Sequence, residues 1–304
     1  MTPTSIIGRY VGLAIAVPDL TAAVKQYSRL GFVLSDLAYR TEWGAKVATF
    51  GFDDGSYLEL ISGVDTTKRN GAAIAAFVER FGARTYLSCY DVADIGAAYD
   101  RVREARIDVL GPPQLAPESV GERAEMLWLK PAAMGGAFTQ LLQLHDGPRK
   151  FEKTTPGTRP FTQVLVASDV DSALATLTGL GAIANPSYDV PEWGLSATVF
   201  ELAGDTNVEI TVPTDTTQPQ GAALQRALDS GRAGHYMTTF EVDDVDLLAE
   251  RFATAGVKTL GPPTDSPTQS PWGPCRQLWV HPAESPGTFV QFLTRLSSSA
   301  EPHS

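Results

Sequence analysis

The sequence has few cysteines, no long apolar run and no cluster of basic residues. Its two cysteines, Cys89 and Cys275, are too few for a disulfide framework, and nothing indicates a structural zinc site. No apolar stretch approaches the ~20 residues that span a bilayer, and the N-terminus lacks the pattern of a signal peptide. Lys and Arg number 24 against 35 Asp and Glu and form no run, which argues against a nucleic-acid partner. We therefore expect a cytoplasmic protein with neither a membrane nor a nucleic-acid partner.

The sequence does contain an internal repeat, which sets its organisation. Glu42–Gly44 recurs as Glu192–Gly194 at an offset of 150 residues, and later matches lie at an offset of 151. A chain of 304 residues is also long enough for two domains of about 150 residues each. We predict two homologous domains, 1–150 and 151–304, joined by a linker over Asp146–Thr158. A chain built in this way is a pseudo-dimer, to be found as a monomer or a homodimer.

Each half divides again into two modules. Four aspartates lie 75 residues apart, and each follows an apolar strand and precedes a helical pattern; they are Asp19, Asp94, Asp169 and Asp244. An Asp in this place caps a helix by accepting its orphan N–H groups. The predicted helices are Leu20–Leu30, Ile95–Ala105, Val170–Leu180 and Val245–Ala255. Short strands follow each helix, so we predict four β-α-β-β-β modules, near residues 9–64, 84–145, 159–214 and 234–295. An extra helix is predicted at Ala72–Phe81 and its repeat at Ala222–Leu228.

Carboxylate and amide side chains interrupt the last apolar strand of each module. Glu59 lies within Tyr57–Leu60, and Glu209 occupies the same place 150 residues later. Gln140 and Gln291 take the equivalent places in the other two modules. A buried charge is costly unless it is paired, hydrogen-bonded or functional. Each Glu is thus either an acid or base in an apolar cup, or a structural group that is hydrogen-bonded to the neighbouring Gln.

The modules resemble the vicinal oxygen chelate superfamily, and within it the glyoxalase-like subgroup. The resemblance is carried by Ala14–Leu20, Leu30–Phe32, Asp54–Ile61 and Phe240–Val245. This superfamily includes glyoxalase I, bleomycin-resistance proteins, methylmalonyl-CoA epimerase and extradiol dioxygenases. It implies an α+β fold in which the four βαβββ modules pair into two cup-shaped, partly open β-barrels with helices outside. Whether modules pair within or across the halves is left open.

The resemblance also implies where a metal would bind. Metal-dependent members carry a ligand, usually His, in the first strand of a module and Glu in the last. The first-strand positions here are Gly12, Leu87, Thr162 and Met237, and none of these is a usual metal ligand. We therefore predict no metal and no other cofactor. A divalent cation would need atypical ligands, with His235 or His281 joining Glu209.

Further candidates come from the aromatic and basic residues. Trp43 and Trp193, each before a glycine in a loop, are predicted at the rims of the cups, where they would contact a planar ligand. Trp128 and Trp279 line a cup or belong to the core. Arg40 and Arg123 are candidates for binding an anion, and His235 for a general base. Tyr10, Tyr57 and Tyr86 are weaker candidates of the same kind.

Three functions are compatible with these residues. The first is a metal-independent isomerase or lyase acting on a small, fairly hydrophobic oxygenated molecule. Glu59, Glu209 or His235 would move the proton, while Gln140, Gln291, Trp43, Trp193 and Arg40 would bind the substrate. The second is a non-catalytic protein that sequesters a small molecule, as resistance proteins do. The third is a metal-dependent lyase or dioxygenase with atypical ligands.

Overall fold

Two curled sheets form the centre of the molecule, one from each half of the chain. The computed structural model describes residues 5–116, 123–167, 169–266 and 272–296. Strands of the first sheet are β1 Ile7–Ala16, β2 Leu34–Arg40, β3 Ala45–Gly51, β4 Tyr57–Gly63, β5 Arg84–Val92, β6 Gln114–Leu115, β7 Ala124–Leu129 and β8 Thr139–Leu144. Their order is β2-β3-β4-β1-β5-β8-β7-β6. The first strands of modules one and two, β1 and β5, pair antiparallel at the centre, so the two modules pair within their own half.

The second sheet repeats this arrangement. Its strands are β9 Thr158–Val166, β10 Ile183–Ala184, β11 Tyr188–Val190, β12 Leu195–Leu202, β13 Thr206–Pro213, β14 Gly234–Val242, β15 Thr264–Asp265, β16 Cys275–Trp279 and β17 Phe289–Arg295. The order is β10-β12-β13-β9-β14-β17-β16-β15, with β11 paired beside β12. The predicted α+β class with four βαβββ modules is confirmed. The division into domains at residue 150 stays a prediction.

The helices begin where the aspartates place them. They are α1 Leu20–Arg29, α2 Arg69–Phe81, α3 Ile95–Glu104, α4 Val170–Gly179, α5 Pro219–Asp229 and α6 Val245–Ala255. Each of the four spaced aspartates accepts a hydrogen bond from a backbone N–H in the first turn of its helix, which confirms the predicted caps. Of the four helices that these aspartates cap, α1, α4 and α6 are each followed by a glycine with a positive φ, which costs glycine no strain. The remaining one, α3, is followed by Arg106 at a left-handed φ of 57°. No described helix is long and apolar enough to cross a membrane.

The apolar pattern predicts strands at Phe32–Leu34 after α1 and at Asp108–Val109 after α3, and both are misplaced. Asp108–Val109 is not a strand, because Val109 makes only an isolated bridge to Leu129. The edge strand forms instead at β6, beyond two prolines that cannot donate to a ladder. Likewise β2 begins only at Leu34 and continues to Arg40. It is a partly exposed edge strand with little apolar alternation, so its pattern gave no signal.

The core lies between the two sheets. Alternate residues of the central strands, such as Leu13, Leu58 and Tyr90, join a buried cluster with Leu165 and Phe292 of the second half. The residues between them, such as Ala14 and Glu59, face the opposite way and line a cavity. One face of each sheet therefore packs against the other half, and the opposite face is left to form a cup.

Candidate functional site

The concave face of the first sheet, here called the first cup, encloses a cavity of about 660 Å³. Ala14 of β1, Glu59 of β4, Cys89 of β5, Met126 of β7 and Gln140 of β8 all face it. Aromatic side chains supply much of the remaining wall; they are Trp43, Tyr57, Tyr86, Trp128, Phe138 and Phe151. A volume of this size suits a small ligand, since ligand pockets in proteins measure roughly 300–1,000 Å³.

Glu59 is a carboxylate of the first cup with a charged partner. Arg149 donates from Nη1 to Oε1 of Glu59 at 3.0 Å, and the two side chains are only 12% and 18% exposed, respectively. The guanidinium lies over the ring of Tyr57, 4.1 Å from its centroid. Because the cation lies against it, Glu59 can carry its charge in a largely apolar wall.

Arg149 belongs to the predicted linker, which is part of the first cup. The backbone N–H of Thr155 donates to the carbonyl of Gly51 at 2.9 Å, and the hydroxyl of Ser35 donates to the carbonyl of Lys153 at 2.6 Å. The Phe151 ring packs so closely on Gly51 that a Cβ there would lie 2.2 Å from it. The segment 147–155, here called the strap, therefore forms one wall of the cavity rather than a simple spacer.

Gln140 presents an amide to the same cavity. Its Oε1 accepts a hydrogen bond from the thiol of Cys89 at 3.2 Å. Burial raises the pKa of that thiol to about 12, so it stays protonated and serves as a donor rather than as a nucleophile. The Cys89 thiol thus fixes Oε1 of the Gln140 amide, and Nε2 is directed away from that thiol.

Two further predicted ligand contacts also lie on this cavity, Trp43 and Arg40. Trp43 packs against the apolar cluster that includes Ala45 and Ile61. Arg40 forms an ion pair with Asp36 at 3.3 Å. The other predicted arginine, Arg123, is exposed and lies 3.9 Å from Asp146 instead.

In the equivalent concave face of the second sheet, here called the second cup, Glu209 has a different environment. It accepts hydrogen bonds from the Tyr188 hydroxyl at 3.2 Å and from the Thr211 hydroxyl at 2.8 Å. Burial raises the pKa of Glu209, and these two hydrogen bonds oppose that rise only in part. Tyr188 occupies the place that Ala38 takes in the first half.

The remaining polar groups of the second cup bond to one another. Thr239 donates to Oε1 of Gln291 at 2.7 Å, and Nε2 of Gln291 donates to Oε1 of Gln277 at 2.9 Å. The rings of Trp193 and Trp279 also meet edge to face, with centroids 5.8 Å apart. The two predicted contacts Gln291 and Trp193 are therefore occupied by partners within the protein.

His235 lies outside both cups, between the two sheets. Nε2 of Gln163 donates to its Nδ1 at 3.0 Å, and its Nε2 lies 2.9 Å from the Thr238 hydroxyl. Its Nδ1 is also 3.4 Å from the hydroxyl of Ser88 in the first half. Strict alternation along β14 predicts that His235 shares a face with Met237, but the pairing of β14 with β9 shifts register between these two residues. Burial lowers the pKa of His235 to about 3, so its imidazole is neutral at neutral pH.

The other candidates in the sequence also have structural places. His281 accepts a hydrogen bond from the backbone N–H of Ala283 in a loop at 3.2 Å. Tyr10 lies in the core with its ring 5.6 Å from that of Tyr90.

The donor set of neither cup fits a metal of the family's usual kind. Among the residues that the structure describes, no three His, Cys, Asp or Glu side chains come together. Glu59 is engaged by a guanidinium, and the first-strand neighbours that would complete a site are Gly12 and Leu87, which offer no side-chain ligand.

Two family models match the chain in succession. One described as Glyoxalase-like domain matches residues 13–147, and one described as Glyoxalase/Bleomycin resistance protein/Dioxygenase superfamily matches residues 160–273. The chain therefore belongs to the vicinal oxygen chelate superfamily, with two glyoxalase-like units in tandem.

Its relatives in this superfamily are enzymes. An ethylmalonyl-CoA/methylmalonyl-CoA epimerase of Cereibacter sphaeroides is 33% identical over 141 residues, which are 46% of this chain and 100% of that protein. A mutant of 4-hydroxymandelate synthase from Streptomyces coelicolor has a TM-score of 0.76 at 16% identity and matches over 95% of this chain and 93% of that one. A fusion of a xylose isomerase-like TIM barrel with 4-hydroxyphenylpyruvate dioxygenase has a TM-score of 0.67 at 17% identity, over 100% of this chain and 51% of that one. These two structures show the shared fold.

Reasoning from the sequence missed three residues of the first cup: Arg149, Cys89 and Met126. Arg149 was hidden because a charged segment with Pro156 and Gly157 reads as a spacer. Cys89 and Met126 are apolar by pattern and read as core. A signal existed in the repeat, since Met126 aligns with Gln277 and a polar residue in one copy marks a position that can face a cup.

Proposed function

We propose that this protein is an isomerase or lyase that moves a proton next to a carbonyl group in the first cup, without a metal. The observation that supports this most directly is Glu59, a largely buried carboxylate with a cationic partner, facing a cavity of about 660 Å³ with aromatic, aliphatic and polar walls. A carboxylate in such a place is suited to act as a general base. The substrate class is a small molecule with an apolar body and a carbonyl oxygen.

In the proposed step, Glu59 removes the proton on the carbon next to the carbonyl. The electron pair of the broken C–H bond forms a C=C bond, and the carbonyl oxygen takes the negative charge. The amide nitrogen of Gln140 donates a hydrogen bond to that oxygen, where the charge develops. Return of the proton from Glu59 to either face of the carbon gives an isomer, and loss of a group on the next carbon gives a lyase product.

The comparisons support this class of reaction. The relative from Cereibacter sphaeroides is named as an epimerase, and a proton transfer next to a carbonyl is one chemical way to invert a carbon centre. The difference from metal-dependent members lies in how the oxyanion is stabilised. Here the amide of Gln140 would do what a cation does elsewhere.

Solvent deuterium exchange tests this without knowledge of the product. A panel of 2-oxo acids, methyl ketones and short acyl thioesters is incubated with the protein in D₂O, and proton NMR follows the carbon next to the carbonyl. We expect one or more members to exchange above the buffer rate, and Glu59→Gln to reduce that rate at least about 100-fold.

Glu209→Gln is the matched control, and we expect it to change the rate less than twofold. Treatment with a chelator should leave the rate unchanged. Exchange that survives in Glu59→Gln, or that disappears with the chelator, would overturn the proposal.

A second candidate function is sequestration of a planar molecule. The aromatic walls of the first cup, with Trp43 and Trp128 facing the same cavity, favour it. Quenching of tryptophan fluorescence by planar aromatics, combined with no exchange on any panel member, would select this function instead.

A further inference from the structure

We propose that Cys89 and Met126 are positioning residues that present the amide nitrogen of Gln140 to a ligand's carbonyl oxygen. We propose also that Gln277 disables the second cup by taking the place of Met126. This inference rests on the proposed function, since it names the groups that prepare that site. It also names the first cup as the one that binds a carbonyl compound.

The orientation of the Gln140 amide comes from Cys89. The thiol donates to Oε1 at 3.2 Å from strand β5, which pairs with β8 so that Cys89 lies directly beside Gln140. Because the thiol holds the oxygen, the nitrogen is the end of the amide that remains for other partners. Gln140 is only 7% exposed, so its orientation is fixed by protein contacts rather than by bulk water.

Met126 leaves that nitrogen available. It lies on β7 diagonally across from Gln140, since Met126 pairs with Leu142 and Trp128 pairs with Gln140. A thioether is a weak acceptor. Within the described part of the chain, the side chain of Gln140 forms its hydrogen bond with the thiol of Cys89.

The second cup shows what happens when an acceptor stands there. Gln277 pairs with Leu293, and Trp279 pairs with Gln291, so Gln277 occupies the place of Met126. Its Oε1 accepts from Nε2 of Gln291 at 2.9 Å, while Thr239 holds the oxygen of Gln291 as Cys89 holds that of Gln140. The amide of Gln291 is thus satisfied at both ends.

The difference matters because Nε2 of Gln140 is not among the buried polar atoms that lack a partner, so it reaches the cavity and can donate to a group there. In the first cup a carbonyl or enolate oxygen of the ligand can accept that hydrogen bond in place of water. In the second cup a ligand oxygen would have to displace Gln277 and leave another group without a partner. The geometry thus favours ligand binding in the first cup, whereas the polar groups of the second cup bond to one another.

Exchange of single residues between the halves tests this. The side-chain amide signals of Gln140 and Gln291 are assigned by their loss in Gln140→Ala and Gln291→Ala, and their hydrogen-exchange rates are measured by NMR. In the unaltered protein we expect the amide of Gln140 to exchange at least about tenfold faster than that of Gln291, since one is unbonded and the other bonded. Met126→Gln should slow the first, and Gln277→Met should speed the second.

Acetone serves as the carbonyl probe. We expect it to shift the amide signal of Gln140 and not that of Gln291, and we expect Met126→Gln to abolish the shift while Met126→Leu preserves it. Cys89→Ala should broaden the Gln140 signal, and Cys89→Thr, which copies Thr239, should restore it. If Met126→Gln does not fold, Gln277→Met carries the same test in the other half.

Equal exchange rates for the two amides, or no response to either exchange of residues, would overturn the inference. The proposed function fails separately. If the amide signals behave as expected but no panel member exchanges deuterium, the proposed reaction is contradicted and the inference about Gln140 stands. If deuterium exchange occurs but Met126→Gln does not affect it, the inference is contradicted and the proposed reaction stands.

Discussion

The two cups carry a glutamate at the same point of the same strand, yet they hold different chemical groups. Glu59 lies against the guanidinium of Arg149, whereas Glu209 is surrounded by the hydroxyls of Tyr188 and Thr211. Glu59 thus has a charged partner, while burial among neutral donors raises the pKa of Glu209. The difference teaches that the module supplies the position and that the neighbours decide what the residue can do.

The same comparison extends to the space in front of each glutamate. In the first half, small or apolar residues leave a cavity of about 660 Å³. In the second half, Tyr188 and Gln277 stand where the first half has Ala38 and Met126, and two tryptophan rings meet. The second half therefore uses its polar groups to stabilise itself, and we propose that it acts as a scaffold for the first.

The largest expected effect concerns His235, which stands where the first half has Thr85. Its folded-state pKa of about 3 lies below the 6.5 of an unfolded chain, so the unfolded state binds the extra proton between these values. Stability is therefore full above pH 6.5 and is lost as the pH falls towards 3. From pH 7 to pH 4 this loss amounts to at most about 3 kcal/mol.

Urea denaturation at pH 7 and pH 4 measures this. His235→Gln keeps a donor and an acceptor but has no proton to gain, so its stability should fall less with pH than that of the unaltered protein. His281→Gln, in a loop, is the control and should show the original pH dependence. Equal pH dependence in His235→Gln would show that the interface between the halves does not depend on a neutral imidazole.

A smaller effect is expected at Gly12 and its counterpart Thr162. A Cβ at Gly12 would lie 2.5 Å from the carbonyl oxygen and 2.8 Å from the ring of Tyr57, which supports Arg149. Gly12→Ala should therefore cost about 1–3 kcal/mol. The buried hydroxyl of Thr162 has no hydrogen-bond partner among the residues that the structure describes, so Thr162→Val should be neutral or stabilising.

Thermal denaturation of the two variants provides the measurement. Gly12→Ala should also weaken binding in the first cup, because the stack of Arg149 on Tyr57 would move. A stable Gly12→Ala, or a clearly destabilised Thr162→Val, would show that these two positions do not mark the difference between the cups.

The smallest expected effect is the difference in protein stability between Glu59→Gln and Glu209→Gln. Glu59→Gln removes one charge of a partly buried ion pair and should cost about 1–2 kcal/mol. Glu209→Gln copies the protonated acid and should cost less than about 0.5 kcal/mol at low pH. Because the pKa of Glu209 is raised on folding, its native state binds more protons than the unfolded state, and stability falls as the pH rises. Glu209→Gln should therefore gain stability relative to the unaltered protein as the pH rises above the ordinary pKa of a glutamate, and a constant difference would contradict the raised pKa of Glu209.

Much of the fold could be predicted because its signals are local and repeated. The spaced aspartates cap helices by contacts within three residues, and the repeat fixes which segments are equivalent. Glu59 and Gln140, which line one cavity, were candidates through the superfamily resemblance, whereas Trp43 was a candidate through its repeated loop position and Arg40 through its charge. The face of His235 could not be predicted, since a single register shift in β14 reverses the alternation that the prediction used.

Arg149 could not be predicted for a different reason. Its role depends on the path of the strap, which is set by scattered long-range contacts such as Thr155 with Gly51 and Ser35 with Lys153. No periodic pattern in the sequence predicts the path of such a segment. The side-chain hydrogen bonds of the second cup likewise join residues from separate strands, which a strand pattern does not reveal.

The strap has a consequence for how the halves depend on each other. The family model for the first half ends at residue 147, before Arg149 and Phe151. A first half cut there would keep its strands and lose one wall of its cup and the cation beside Glu59. The segment that connects the two glyoxalase-like units therefore also encloses the cavity of the first unit. The first cup is thus complete only in a chain that continues beyond the first unit.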